Sequence, residues 1–159
     1  MWLVIIDASA STRRHGALVE AKGVLAALFD RAYRARARVA LLKASGNRPQ
    51  WARQGLKASA ALQPWLAALG AGGGTPLAEA LALARQWLAR RRRTYPHEQQ
   101  HCLLVTDGRV HQQGLRPVGC DTLLLDIERG AVRLGRGPGM AQRMAAQYLH
   151  IDQAPRSGR

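Results

Sequence analysis

The chain has 159 residues, which is the usual size of one α/β domain and long enough to bury a sizeable core. Apolar residues make up 47% of it but aromatic residues only 5%, which favours helices packed closely on a sheet over an aromatic-rich sandwich. No apolar run reaches membrane-spanning length, and residues 2–6 lack the basic flank of a signal peptide. Two cysteines are too few for a disulfide framework. These features predict a cytoplasmic location.

The formal charge of +14 comes from arginine, since only three of the 24 basic residues are lysine. Such a surface attracts polyanions. No aromatic–basic pattern or nucleic-acid-binding motif accompanies the charge, which argues against nucleic acid. Two interpretations stay open: arginine that merely fills solvated faces, and an acidic protein partner. The run at 90–93 ends a predicted helix, where cations oppose the negative end of the helix dipole.

The predicted elements alternate between strand and helix. In chain order they are a strand at 2–7, a helix at 17–32 with Leu18, Ala21, Leu25, Leu28 and Ala32 inward, a strand at 39–42, an antiparallel edge strand at 51–54, a helical segment at 58–69, a helix at 76–92, strands at 102–107 and 122–126, a short extension at 132–134, a helix at 139–146 and a strand at 148–151. Pro64 should kink or divide its helix, whereas Pro76 should take the first helical position. We predict one domain at 1–152 and a disordered tail at 153–159.

Oxygen-bearing side chains follow two predicted strands and a glycine run. Ser9 and Ser11 are two residues apart after the first strand, so an extended loop can aim both hydroxyls at one point, with Asp7 behind them. Thr75 follows three glycines and opens a helix, and Asp107 ends another strand. The carboxyl ends of parallel strands meet at one edge of a sheet, so these loops should lie together. Hard oxygen donors suit Mg²⁺, Mn²⁺ or Ca²⁺ rather than zinc.

This D-x-S-x-S, Thr and Asp pattern resembles the metal-ion-dependent adhesion site of von Willebrand factor A domains. Gly-Gly-Thr-Pro-Leu at 73–77 and Asp-x-Glu at 126–128 with Val-Arg-Leu-Gly at 132–135 are most similar to the A domain of magnesium chelatase D subunits and their cobaltochelatase relatives. Ala10 stands where that family usually has glycine. The resemblance implies a three-layer, Rossmann-like α/β fold, with a mostly parallel central sheet, one short antiparallel edge strand and helices on both faces.

The resemblance also implies roles for the site residues. Ser9, Ser11 and Thr75 would touch the metal, whereas Asp7 and Asp107 would act largely through water. One coordination position would remain for an acidic side chain of a protein partner.

In the chelatase family the D subunit joins an AAA+ ATPase ring to the large subunit that inserts Mg²⁺ or Co²⁺ into a tetrapyrrole. A non-catalytic docking domain with these partners is therefore expected, either as a small subunit or as a piece of a larger one, and a general A-domain adaptor for another AAA+ ATPase is the alternative. Arg13, Arg14 and Arg109 directly follow ligand loops, so they are expected to form the partner-binding rim.

A second motif, His97-Glu98-x-x-His101, matches the H-E-x-x-H pattern of zinc peptidases. A proline precedes it and a predicted strand follows it at once, which leaves no room for a helix that would hold both imidazoles on one face. A zinc peptidase is therefore only a minor alternative. Neither a G-x-S-x-G elbow nor a Walker lysine is present.

Overall fold

The computed structural model describes residues 1–154, apart from the side chains of residues 13–15. This part of the chain folds into one six-stranded sheet with helices on both faces. The elements are β1 (Trp2–Asp7), a first 3-10 helix (Ala10–Gly16), α1 (Ala17–Arg34), β2 (Arg38–Ala44), β3 (Gln50–Lys57), α2 (Leu62–Ala68), α3 (Leu77–Thr94), β4 (His101–Thr106), β5 (Asp121–Asp126), α4 (Gly137–Arg143), β6 (Gln147–His150) and a second 3-10 helix (Ile151–Gln153).

The strand order is β3-β2-β1-β4-β5-β6, and every pairing is parallel except that of β2 with β3. The side chains of β1 alternate between two covered faces: Val4 and Ile6 pack with α1 and α2, and Leu3 and Ile5 with α3 and α4. Strands buried on both faces need continuous apolar runs, and β1 has one. The predicted three-layer fold is confirmed. The antiparallel edge strand is also present, and with eight residues it extends beyond the predicted 51–54.

Two helical details differ from the prediction. Phe29 of α1 is buried and Leu28 is only half-buried, since Phe29 lies one full turn beyond the buried Leu25. The segment at 58–69 becomes helical only at Leu62, which places Pro64 in the first turn. A proline there loses no intrahelical hydrogen bond, so it neither kinks nor divides α2. Pro76 is the N-cap of α3 rather than its first helical residue.

The C-terminal part also needs correction. Residues 132–134 form no strand, and the side chain of Val132 is 77% exposed. The second 3-10 helix and the buried Ala154 extend the packed domain beyond residue 152, while the rest of the predicted tail lies outside the described residues. Within residues 1–154, no helix is both long and apolar enough to cross a membrane.

The sheet order brings the two acidic strand ends together. The chain runs outward from β1 through β2 to one edge and returns on the other side of β1 with β4. Asp7 is the last residue of β1, and Asp107 directly follows β4, its hydrogen-bonded neighbour. Both carboxylates therefore lie where the strand order reverses, which is where open α/β sheets place their sites.

Candidate metal centre

Asp7 is the polar centre of this sheet edge. Its side chain is fully buried, and its Oδ1 accepts the Ser9 amide N–H at 3.0 Å and the Thr75 hydroxyl at 3.2 Å. Its Oδ2 accepts the hydroxyl of Thr106 at 2.8 Å. Burial raises the pKa of Asp7, and the nearby charge of Asp107 acts in the same direction, while the hydrogen bonds from Ser9 and Thr106 oppose it. Asp7 thus joins the loop after β1, the loop before α3 and the end of β4.

Three hydroxyls face a common cavity in front of that carboxylate. The Oγ atoms of Ser9 and Ser11 are 2.9 Å apart, but Ser11 lies in the first 3-10 helix, so a helical turn rather than the predicted extended loop brings them together. The Thr12 hydroxyl donates to the Ser9 carbonyl at 2.7 Å and fixes the first turn of the 3-10 helix. Ser9, Ser11 and Thr75 line a cavity of about 320 Å³. The structure therefore brings these three predicted side chains together.

The glycine loop is joined to the first ligand loop through its backbone. The Gly72 N–H donates to the Ala8 carbonyl at 2.9 Å, and the Ala10 N–H donates to the Gly73 carbonyl at 3.1 Å. Gly73 has a φ of +71°, and a Cβ there would lie 2.8 Å from the Cα of Gly46. Only glycine fits this conformation and approach, so the glycine run before Thr75 has a structural reason.

Asp107 is buried at 4% exposure, and its Oδ1 accepts the Arg109 N–H at 3.0 Å. Arg109 also lines the cavity, and its role on a partner-binding rim stays a prediction. Its guanidinium lies 3.6 Å from the carboxylate of Glu128 and donates to the Val132 carbonyl at 3.3 Å. Arg109 therefore connects the cavity to the loop after β5, and part of its charge is balanced by Glu128.

The same cavity is lined by three further side chains, Val110, His111 and the exposed Arg136. Sequence reasoning missed Arg136, which is distant in sequence from every ligand loop. The side chains of Arg13 and Arg14 lie outside the described residues. Thr106 was also missed as a partner of Asp7, although a hydroxyl within an otherwise apolar strand, directly before Asp107, was a usable signal.

The late Asp-x-Glu and Val-Arg-Leu-Gly segments contact each other. The Glu128 carboxylate is buried and accepts the N–H groups of Leu134 at 2.7 Å and Gly135 at 3.0 Å. Asp126 accepts the Glu128 N–H at 2.9 Å and the Tyr148 hydroxyl at 2.8 Å. Burial raises the pKa of the Tyr148 hydroxyl, and the hydrogen bond to the Asp126 carboxylate raises it further. These bonds hold the loop after β5 beside Arg109.

The donor set fits a hard divalent cation. Among the described residues, no group of three or more histidine, cysteine or acidic side chains could hold a metal, so any cation here would depend on the hydroxyls. Three hydroxyls and two nearby carboxylates supply only oxygen, which is the chemistry of Mg²⁺, Mn²⁺ and Ca²⁺ sites. Mg²⁺ usually keeps several waters, and the cavity has room for them.

The His97-Glu98-x-x-His101 segment has a different geometry from a zinc peptidase helix. His97 lies in a turn and His101 begins β4, where its ring stacks on Trp2 at 5.1 Å. Glu98 accepts two hydrogen bonds from Arg91, at 2.6 and 2.8 Å, and this arginine lowers the pKa of Glu98. The two imidazoles share no helical face, and the carboxylate is occupied by a structural ion pair.

Solved structures of low sequence identity share the fold. BatB from Bacteroides thetaiotaomicron superposes with a TM-score of 0.73 at 16% identity, over 96% of this chain and 90% of that one. The SpRpn10 VWA domain gives a TM-score of 0.65 at 12% identity, over 99% of this chain and 89% of that one. A von Willebrand factor type A protein from Catenulispora acidiphila gives 0.65 at 21% identity, over 94% of this chain and 38% of that one.

Sequence comparison gives a longer relative and a family. The uncharacterized protein Rv2850c of Mycobacterium tuberculosis is 24% identical over 163 aligned positions, which cover 95% of this chain. The chain spans only about a quarter, 26%, of that relative's length. The family model for the von Willebrand factor type A domain matches residues 2–109, which include all five predicted metal-site residues. The chain therefore belongs to the von Willebrand factor type A domain family.

Proposed function

We propose that this domain is a non-catalytic docking module that binds a divalent cation and uses it to hold an acidic side chain of a protein partner. One observation carries the proposal: the hydroxyls of Ser9, Ser11 and Thr75 line one cavity, Thr75 donates to the buried carboxylate of Asp7, and the buried Asp107 lies near enough to raise the pKa of Asp7. Neutral hydroxyls would contact the ion, and the carboxylates would hold its water ligands. When bound, the cation supplies electrostatic attraction for an anionic oxygen.

The charge balance explains why the partner should be acidic. Asp7 and Asp107 are both buried and neither lines the cavity, so neither offers an anionic oxygen from the cavity side. The exposed side of the cavity carries Arg109 and Arg136, which add positive charge where a partner would approach. An Asp or Glu from that partner would complete the coordination. The overall charge of +14 would also speed its approach at low salt.

We further propose that this docking serves a magnesium or cobalt chelatase-like AAA+ assembly. Support comes from the Gly-Thr-Pro-Leu loop and from the late Asp-x-Glu and Val-Arg-Leu-Gly segments, which resemble the chelatase branch. The contacts of Glu128 with Leu134 and Gly135 give that late pair of motifs a shared structural role beside Arg109. The partners would be the ATPase subunit, the large chelatase subunit or both. A general A-domain adaptor for another AAA+ ATPase is the alternative.

A pull-down against the purified ATPase and large chelatase subunits, in Mg²⁺ and in EDTA, tests the proposal. Recovery should need Mg²⁺ and should be lost when Ser9→Ala and Ser11→Ala are combined. We call the cavity lined by Ser9, Ser11 and Thr75 the metal-site cavity. Ser59→Ala removes a hydroxyl outside this cavity, so it is the matched control and should bind normally. Equal recovery in EDTA would contradict metal-dependent docking. Mg²⁺-dependent recovery of an unrelated AAA+ ATPase, with no chelatase subunit bound, would favour the alternative.

A further inference from the structure

Two further cavities lie beside the metal-site cavity at the same end of the sheet. A cavity of about 710 Å³ lies between the β2–β3 turn and the glycine loop, and shares Gly73 with the metal-site cavity. A third cavity of about 280 Å³ shares Lys43 and Gly70 with it and reaches Trp65 of α2. We call the second and third cavities together the edge groove. It lies between the glycine loop beside the metal site and the start of β3 at the sheet edge.

The edge groove has a fixed shape. Its two walls are joined where the Gly46 N–H donates to the Gly74 carbonyl at 3.0 Å and where Gly73 packs against Gly46. Gly70, Gly72 and Gly73 line the groove and have no side chains to fill it, so a bound backbone could approach closely. A preformed groove of this kind costs little ordering entropy when a ligand binds.

The chemistry of the edge groove is basic with one apolar end. Lys43 and the exposed Arg48 line it, and none of the described residues that line the three cavities carries a carboxylate. At the far end, half-buried Trp65 lies with Ala68 and Leu69. Charge complementarity therefore favours an acidic segment that ends in an apolar anchor.

The strand spacing sets the length of that segment. The metal site lies at the end of β1, β3 is two strands away, and Trp65 lines the third cavity together with Gln50 and Trp51 at the start of β3. Two spacings of about 4.8 Å make roughly 10 Å, which an extended peptide at about 3.3 Å per residue crosses in about three residues. We propose that the edge groove binds an extended acidic segment of the partner, whose metal-binding Asp or Glu lies three to four residues from an aromatic or aliphatic side chain that packs on Trp65. This inference rests on the proposed docking function.

Selection from a display library of random twelve-residue peptides on the full chain tests this inference. In Mg²⁺, the selected peptides should share an Asp or Glu three to four residues from a large apolar residue. Lys43→Glu combined with Arg48→Glu should lower their recovery at least tenfold. Arg48→Glu alone, in an exposed turn, should lower it several-fold and guards against misfolding of the double variant. Arg90→Glu combined with Arg93→Glu is the charge-matched control, at the opposite end of α3 from the metal site.

The outcomes separate the groove from the metal. If peptide recovery is lost in EDTA but is unchanged in the double variant and in Arg48→Glu alone, peptide binding in the edge groove is overturned and metal-dependent docking stays intact. Recovery that survives EDTA but falls in those variants would contradict the docking function and overturn the metal-binding part of the inference, leaving a groove that binds acidic peptides without a cation. A selection with no enriched peptide, or with peptides that lack an acidic residue, would overturn the inference. An equal loss in the Arg90 and Arg93 control would do the same, because it would show non-specific charge attraction.

Discussion

Thr106→Val should show how much the hydroxyl of Thr106, at the end of β4, contributes to the stability of the protein. Thr106 is fully buried on β4, donates to Asp7 Oδ2 at 2.8 Å and accepts the Gly108 N–H at 3.1 Å. Valine has nearly the same shape, so packing should change little. The substitution removes one donor from a buried carboxylate and one acceptor from a backbone amide. The hydrogen-bonding loss can therefore be measured almost in isolation.

The magnitude follows from those two bonds. A hydrogen bond to a charged group contributes about 1.5–3 kcal/mol, and a buried N–H without an acceptor costs at least about 1 kcal/mol. The free energy of unfolding should therefore fall by about 2.5–4 kcal/mol. Thr122→Val is the matched control, because Thr122 is also a nearly buried strand residue but donates to the neutral Cys120 carbonyl at 2.9 Å. It should cost only about 1 kcal/mol.

Urea unfolding followed by circular dichroism measures both variants, and a shift in midpoint at constant slope reports a change in stability. Thr106→Val should also weaken Mg²⁺ binding about 10- to 100-fold, which is the usual effect of losing a group that orients a metal-site residue. Thr122→Val should leave Mg²⁺ affinity unchanged. Equal stability losses in the two variants would refute the reasoning that Thr106 supports the Asp7 carboxylate.

Three further predictions concern the supports of the fold and the site. Arg91 lowers the pKa of Glu98. The ion pair therefore stabilises the protein above the normal glutamate pKa, and this stability is lost as the pH falls through the lowered pKa. Between pH 6 and 3, the unfolding midpoint should drop more steeply in wild type than in Glu98→Gln. In urea unfolding, Gly73→Ala should lower the free energy of unfolding by more than about 2 kcal/mol, because Gly73 has a positive φ and packs against Gly46. Gly72→Ala should lower it by less than about 1 kcal/mol, because a Cβ there meets open space. Glu128→Gln should speed hydrogen exchange at the amides of Leu134 and Gly135, and equal exchange in wild type and variant would contradict the role of Glu128 in holding that loop.

Much of the fold could be predicted because local patterns and tertiary packing agree. The run at residues 2–6 is apolar on both faces, as a central parallel strand requires, and it ends in Asp7. The helix of residues 77–94 follows a proline and keeps its apolar residues at helical spacing. Residues 132–134 were misread because their apolar side chains lie on an exposed loop that Glu128 and Arg109 hold, which no local pattern reveals.

The site was predictable where its residues lie at the ends of recognisable elements. Asp7, Thr75 and Asp107 each border a strand or a helix, so topology alone brings them together. Arg136 lines the cavity because the loop after β5 returns to it. The sequence spacing between Arg136 and the other cavity residues does not predict this position. Arg109 was placed on the rim, but its pairing with Glu128 depends on a contact between distant segments.

Thermal unfolding in Mg²⁺ tests the central claim, that the hydroxyl and carboxylate oxygens form a cation site. An ion that binds only the folded state at 100 times its Kd stabilises by about 2.7 kcal/mol, which for a domain of this size raises the Tm by roughly 5–10 °C. Wild type should show this rise. Asp107→Ala, and Ser9→Ala combined with Ser11→Ala, should lose it, while Ser59→Ala should keep it. An unchanged Tm in wild type, or an equal rise in all four proteins, would contradict the metal site.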